Sequence, residues 1–239
     1  MNTGLYSALS GAVTEVKKLD VLANNLANVN DAGYKKDRLN FRCLLDRGTQ
    51  NSMARGVNFR SIDSCRTDFS QGDFEETGRS LDLAIQGQGF FKVADESGFY
   101  YTRQGSFRVL SDGSLVTQNG EQVVGENGPV SLPDSNVDIR SNGRIYANGQ
   151  QVGRISVYDF SDRSELQKHG DTLFRRNGAE EQVARNASID QGFLERSNLS
   201  PMHSMVDMIE SKRAFQAYQK AIKTFGDLAE RANQIGRIG

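Results

Sequence analysis

Apolar residues recur at alternating three- and four-residue steps at both ends of this chain, and hardly anywhere between. Leu9, Ala12, Val16, Leu19, Ala23 and Leu26 keep that alternation near the N-terminus, and Leu5 extends it. Near the C-terminus Met208, Phe215, Tyr218, Ile222, Phe225, Ala229 and Ala232 keep it too, with Ser211 as the polar exception. This is the a/d spacing of a coiled coil, so it predicts two long helices that pair with each other. Gly33, after Asn30 and Asp31, reads as a stop for the first helix. Ser200 followed by Pro201 reads as the start of the second, a hydroxyl N-cap before a proline whose φ suits the first helical turn. Asp207 and Glu210 lie early and Lys220, Lys223, Arg231 and Arg237 late, complementing the helix dipole out to about residue 235. Ala8, Val13, Leu22 and Val29 widen the first apolar stripe, and Met202, Met205, Ile209, Leu228 and Ile235 widen the second. A hairpin of two helices cannot bury stripes that wide, so further neighbours are expected, either the chain's own central domain or other copies of the chain.

Between the ends the composition changes. Residues 67–196 hold 16 of the 24 glycines and carry a net charge of −7, whereas residues 1–66 carry +4 and residues 197–239 carry +2. The ends therefore resemble each other and the middle reads as an insertion. Asp112-Gly113, Asn119-Gly120, Asn127-Gly128, Asn142-Gly143, Asn148-Gly149 and Asn177-Gly178 are tight-turn signals, because such pairs accept the positive φ that short hairpins require. Short strands are expected at 107–110, 115–117, 137–139 and 153–160. The expected fold class is α+β: terminal helices over 1–30 and 200–239 pairing as a coiled coil, an extended basic connector over 31–66, and an inserted Gly-rich, all-antiparallel β domain over 67–199.

Chemistry is harder to find. No run of about 18 apolar residues is present, so no spanning helix is expected. The first twenty residues lack the charged start, apolar stretch and small-residue cleavage site of a secretory signal. Two cysteines, Cys43 and Cys65, cannot build a zinc cage; a buried thiol at Cys43 and a Cys43–Cys65 disulfide both stay open. The histidines, His169 and His203, sit in polar or helix-start surroundings that suit a surface better than a catalytic site. Gly87-Gln88-Gly89 lacks the third glycine of a dinucleotide loop, Lys92 standing in its place, and reads as a bulged hairpin. Asp82, Asp138 and Glu75-Glu76 could form a carboxylate pair, but such residues are common on solvated loops. Lys17-Lys18, Lys35-Lys36 and Arg175-Arg176 are too short and scattered for a nucleic-acid footprint. No catalytic residue, cofactor site or metal site is expected. A β-rich carbohydrate-binding or adhesin-like module is the rival function class, followed by a glycan hydrolase.

Three stretches are more specific. Leu22-Ala23-Asn24-Asn25-Leu26-Ala27-Asn28-Val29-Asn30 with Gly33-Tyr34-Lys35, preceded by Gly4-Leu5-Tyr6-Ser7-Ala8-Leu9-Ser10-Gly11, resembles the N-terminal signature of bacterial flagellar rod and hook proteins. Ser80-Leu81-Asp82-Leu83-Ala84-Ile85, Gly89-Phe90-Phe91 and Tyr101-Thr102-Arg103-Gln104-Gly105-Ser106-Phe107 resemble the family's central signature. Gly192-Phe193-Leu194-Glu195, Ser197-Asn198-Leu199, Met205-Val206-Asp207-Met208-Ile209 and Arg213-Ala214-Phe215 resemble its C-terminal signature. Length, the Gly125–Pro129 turn and Val152-Gly153-Arg154-Ile155 are most similar to the proximal-rod branch, with the distal-rod branch as the alternative. Asp31-Ala32 departs from the family's usual residues before the glycine, at a turn.

The resemblance implies a non-enzymatic subunit of the basal-body rod, exported through the flagellum's own apparatus without a cleaved signal peptide. Such subunits stack into a tube that crosses the periplasm and transmits torque from motor to hook, the terminal helices forming its inner layer and the β domain its outer one. The implied partners are other copies of the chain, other rod proteins and the export apparatus, with no nucleic acid. The implied assembly residues are Leu9, Val16, Leu19, Asn24, Asn25, Leu26 and Asn28 at one end and Met208, Phe215, Tyr218, Ile222 and Phe225 at the other.

Overall fold

A computed structural model of the chain describes residues 2–45, 58–133, 136–170, 172–184 and 186–235. The chain divides into two units. The first comprises residues 1–27, 37–66 and 200–239, and the second residues 28–36 and 67–199.

The first unit holds helix α1 (Asn2–Ala27) and helix α2 (Pro201–Ile235), together with strands β1 (Asp37–Leu45) and β2 (Asn58–Thr67), which pair as a two-stranded sheet. The stretch 31–66, expected as an extended connector, thus contains two paired strands. Its strands show no clean two-residue alternation, which is why periodicity alone reads them as irregular. Helix α1 stops at Ala27, six residues before Gly33, and Asn28–Asn30 form a turn. Gly33 has a φ of 72°, and its amide donates to the Glu195 carbonyl at 2.7 Å. A β-carbon there would collide with the backbone of Arg103 and Gln104, so the glycine is required by close approach as well as by φ.

The second unit is antiparallel throughout. Its main sheet runs in the order 166–169, 173–176, 98–102, 90–95, 122–125, 115–117 and 107–109; strand Val157–Phe160 adds beside 90–95 and itself pairs with 181–183. A three-stranded sheet is built from 138–139, 144–147 and 150–154. The turn between its last two strands is Asn148-Gly149, both residues at positive φ, as the dipeptide predicts. Successive residues of strand Phe90–Asp95 face opposite ways. Phe91 and Val93 enter a core with Leu83, Ile85, Phe107, Leu115 and Ile145, while Phe90 enters a second core with Tyr101, Phe160, Leu166 and Phe174.

Two sequence expectations change here. The stretch 153–160 is not one strand: Gln150–Arg154 pairs with Arg144–Ala147 and Val157–Phe160 pairs with Phe90–Asp95, so the buried Ile155 and Ser156 carry the chain from one sheet to the other. Gly87-Gln88-Gly89 is not a hairpin turn either: strand Leu83–Gln86 pairs with 188–191 and strand Phe90–Asp95 pairs elsewhere, so the glycines carry the chain from one sheet to another. At the end of the domain, strands 188–191 and 193–195 return to pair with 83–86 and 74–76. Its closing strands therefore lie beside its opening ones, as an inserted domain requires.

Candidate assembly interface

In the first unit, α1 and α2 lie antiparallel. A β-carbon built on Gly4 would stand 3.0 Å from the ring of Phe225, and one built on Gly11 would overlap the ring of Tyr218. Glycines seven residues apart on one helix thus meet aromatics seven residues apart on the other, in reverse order. Along α2 the residues facing inward are Ser204 and Ser211, both buried, with Met208, Phe215, Tyr218, Ile222 and Phe225 half-buried.

Helix α1 differs from expectation. Its buried residues are Ala8, Gly11, Ala12, Thr14, Glu15 and Asn25, whereas Leu9 is 50% exposed and Val16 40% exposed. Leu19 and Leu26 are half-buried, and Asn24 is exposed. The pairing face is therefore rotated by one residue, about 100° around the helix, from the face that carries the bulky alternation. The physical reason is close approach: the Gly4, Ala8, Gly11 and Ala12 face admits aromatic rings that a leucine face would hold off. Tyr6, Leu9, Val13 and Val16 are left outward on α1, and Met202, Met205, Val206 and Ile209 on α2, all at least 40% exposed.

Asn25 has a separate task. Its side-chain amide donates to the Asp37 carbonyl at 2.9 Å and its carbonyl accepts from the Asp37 amide at 2.9 Å. The side chain imitates a strand neighbour and fixes the start of β1 against α1. Asn28 belongs to the second unit, where its carbonyl accepts from the amide of Asp31 at 3.2 Å.

The second unit holds a buried ionic centre that gathers one residue from each of the three signature stretches. The Glu195 carboxylate accepts from Lys35 Nζ at 2.6 Å, from Arg103 Nη1 at 3.0 Å and from the Gly72 amide at 2.9 Å, and all three charged side chains are 4% exposed or less. Two cations share one anion, so carbonyls take up further donors, and Arg103 Nε is left buried without a hydrogen-bond partner. Lys35 Nζ donates to Ser70 O at 2.7 Å, and Arg103 donates to Ile85 O at 3.2 Å and Gly87 O at 2.7 Å. Burial lowers the pKa of both cations, against the attraction of Glu195. Alongside, the Lys36 amide donates to Asn198 Oδ1 at 3.0 Å, and Asn198 Nδ2 donates to Asp68 O at 2.7 Å and Ser70 O at 3.0 Å. Segments 33–36, 68–72 and 195–198 are thereby tied into one collar at the point where the chain enters and leaves the domain. Nothing in the local sequence announces the centre, since its members are separated by 68 and 92 positions.

Of the candidates for carboxylate chemistry, Glu76 and Asp138 line one open pocket, and Asp82 and Glu75 are not part of its lining. Asp82 is fully buried and accepts from Thr77 Oγ1 at 2.7 Å, whereas Asp138 is exposed and lies 3.7 Å from Arg140. Glu75 is exposed and lies 3.6 Å from Arg196, and Glu76 is exposed in the same strand. His169 stacks on Tyr100 with ring centroids 4.8 Å apart, and His203 Nδ1 lies 3.1 Å from Ser200 Oγ at the start of α2. Among the described residues no group of three or more His, Cys, Asp or Glu is placed to hold a metal ion, and no helix is long and apolar enough to cross a membrane. Cys65 is exposed on β2, while the side chain of Cys43 lies outside the described residues.

Comparison with known proteins agrees with the three signatures. Residues 5–35 match the family described as "Flagella basal body rod protein", residues 84–147 the "Flagellar hook protein FlgE/F/G D1 domain", and residues 190–235 the "Flagellar basal body rod FlgEFG protein C-terminal". The chain is 34% identical to the flagellar basal-body rod protein FlgF of Caulobacter vibrioides, over all of both chains. It is 31% identical to FlgG of Bacillus subtilis over 99% of this chain and all of that one, and 32% identical to FlgF of Salmonella typhimurium over 98% of each. With its helical ends and its inserted β domain matched along their whole length, the chain belongs to the flagellar basal-body rod protein family.

Proposed function

We propose that the chain is a structural subunit of the flagellar basal-body rod, of the FlgF/FlgG branch, whose terminal helices pair as a coiled coil and pack on those of other copies to build a helical tube. The observation that carries this reading is the bulky apolar face of α1. Tyr6, Leu9, Val13 and Val16 keep between 40% and 59% of their surface exposed while small residues make the contact with α2. An apolar face of that length is costly in water and marks an interaction site. In the tube the face is covered, and repetition of one contact along a rotation that does not close generates an open helix of subunits.

On this reading the partners are further copies of the chain and the neighbouring rod proteins, with the flagellar export apparatus in transit. The location is the part of the basal body that crosses the periplasm, and the mechanical task is to carry torque from motor to hook. The buried Lys35–Arg103–Glu195 centre suits such a load, because its short charge-assisted bonds tie the two ends of the inserted domain to its middle. The matched families and relatives are named as rod and hook proteins, which leaves the carbohydrate-binding reading without support.

The test is genetic and biochemical together. Cells deleted for this chain should be non-motile, and basal bodies purified from complemented cells should contain the chain in their rod fraction. Motile deleted cells, or a chain absent from those basal bodies, would refute the reading.

A further inference from the structure

The bulky alternation on α1 and the face that α1 buries are not the same face, and the structure shows what separates them. The outer ends of the Tyr218 and Phe225 rings approach the helix at Gly11 and Gly4; a β-carbon at Gly11 would overlap the Tyr218 ring, and one at Gly4 would crowd Phe225 at 3.0 Å. With the rings seated, Ala8, Ala12 and Glu15 turn inward, and Leu9, Val13 and Val16 turn out. Were Gly11 filled, the ring of Tyr218 would have to leave. The setting in which Leu9 and Val16 join Ala12 and Leu19 against α2 would then bury more apolar surface within a single chain.

We infer that Gly11, aided by Gly4, is a specificity-determining residue: it holds α1 in the rotational setting that withholds Leu9, Val13 and Val16 from the chain's own α2 and reserves them for a second copy of the chain. This rests on the rod reading for the identity of the occupant. The geometry supports the same occupant. Met202, Met205, Val206 and Ile209 form a matching exposed apolar set on α2, but Ile209 precedes Tyr218 by nine residues, about 14 Å along the helix. In the antiparallel pair that set lies away from the Gly4–Gly11 end of α1, so the two sets of one chain cannot cover each other. A copy shifted along the helix axis can lay one set on the other, and such a contact is head-to-tail and leaves both ends open.

The experiment uses the full chain with Cys43→Ser and Cys65→Ser, and a single reporter thiol introduced by Leu9→Cys. At a dilution where the chain is monomeric, an uncharged maleimide should label the reporter about as fast as an exposed thiol. Gly11→Leu should slow that labelling roughly tenfold or more, because reaction then waits on local opening. Tyr218→Ala, which removes the seated ring and leaves α1 untouched, should slow it in the same direction. Labelling unchanged by both variants, or already slow with Gly11 in place, overturns the rotational setting. At assembling concentration, Leu9→Cys chains mixed with Met205→Cys chains should form a disulfide between copies, and with Gly11→Leu that product should fall at least several-fold. Assembly without the cross-link overturns the second copy as occupant. Normal labelling behaviour in a chain that never enters basal bodies would count against the rod reading alone.

Discussion

Replacing Glu195 by glutamine tests the buried centre most sharply, because shape is kept and only charge is lost. In the native unit Lys35 and Arg103 share one carboxylate, with side-chain exposures of 1%, 4% and 0% for Lys35, Arg103 and Glu195. Glu195→Gln leaves two cations buried with only carbonyls for company. Removing one partner of a buried ion pair costs about 3–5 kcal/mol, most of it the desolvation of the charge left behind. Lys35→Met is different: it leaves the Arg103–Glu195 pair neutral and removes one charge-assisted bond to Glu195 and one to Ser70, a loss of about 1–3 kcal/mol. The double variant buries one lone cation instead of two, so it should cost no more than Glu195→Gln alone. The assay is urea denaturation of the full chain followed by the near-ultraviolet circular dichroism of its tyrosines, among which Tyr34 and Tyr101 are fully buried in this unit. The pH dependence has a definite sign. Because burial holds Lys35 below its usual 10.5, the unfolded chain binds the extra proton just under that value, and this group's contribution makes stability rise with pH up to about 10.5. If Glu195→Gln costs under about 1 kcal/mol, or if the two single effects simply add, the centre is not the coupled charge cluster described.

Two further outcomes follow from single contacts. Tyr101→Phe removes the bond from the phenol to Glu181 at 2.6 Å and should cost about 1.5–3 kcal/mol. Burial, then Glu181, raises the Tyr101 pKa, so the wild-type chain has this stabilisation in full below pH 10 and loses it as pH climbs further; the variant's alkaline melting curve should lack that decline. Gly33→Ala should destabilise by more than about 2 kcal/mol, since it adds a backbone collision to the strain of a positive φ. Gly78→Ala, at a φ of 68° in open space, should cost only the strain, about 1 kcal/mol, and equal melting temperatures for the two variants would contradict the contact argument.

How much of this was legible in the sequence depended on whether the signal was local. The inward face of α2 was readable, because bulky residues at Met208, Phe215, Tyr218, Ile222 and Phe225 leave one consistent stripe. The face of α1 was misread for the same reason. Periodicity weighs the size of side chains, and it picked Leu9 and Val16 where the structure uses the smallness of Gly4, Ala8 and Gly11 to bring two helices close. Tight turns such as Asn148-Gly149 were readable from φ preference alone. The break at Ile155-Ser156 was not, since it depends on which distant strands the chain pairs with on either side. In the sequence Lys35 is only half of a short basic pair with Lys36. Only the fold brings it to Glu195, and no spacing rule reaches across 160 positions.

The central claim is that the outward face of α1 joins subunits, and charge placed on that face tests it. Leu9→Asp and Val16→Asp fall on residues 50% and 40% exposed in the single chain, so each should alter its stability by no more than about 0.5 kcal/mol. In an assembly that covers the face, the same carboxylate is buried unpaired at a cost of several kcal/mol, about 3 or more, repeated in every subunit. The measurement is the amount of each variant in purified basal bodies relative to wild type, beside the melting curve of the dilute chain. The expected result is unchanged melting and little or no incorporation; incorporation at the wild-type level would mean that this face is not where the subunits meet.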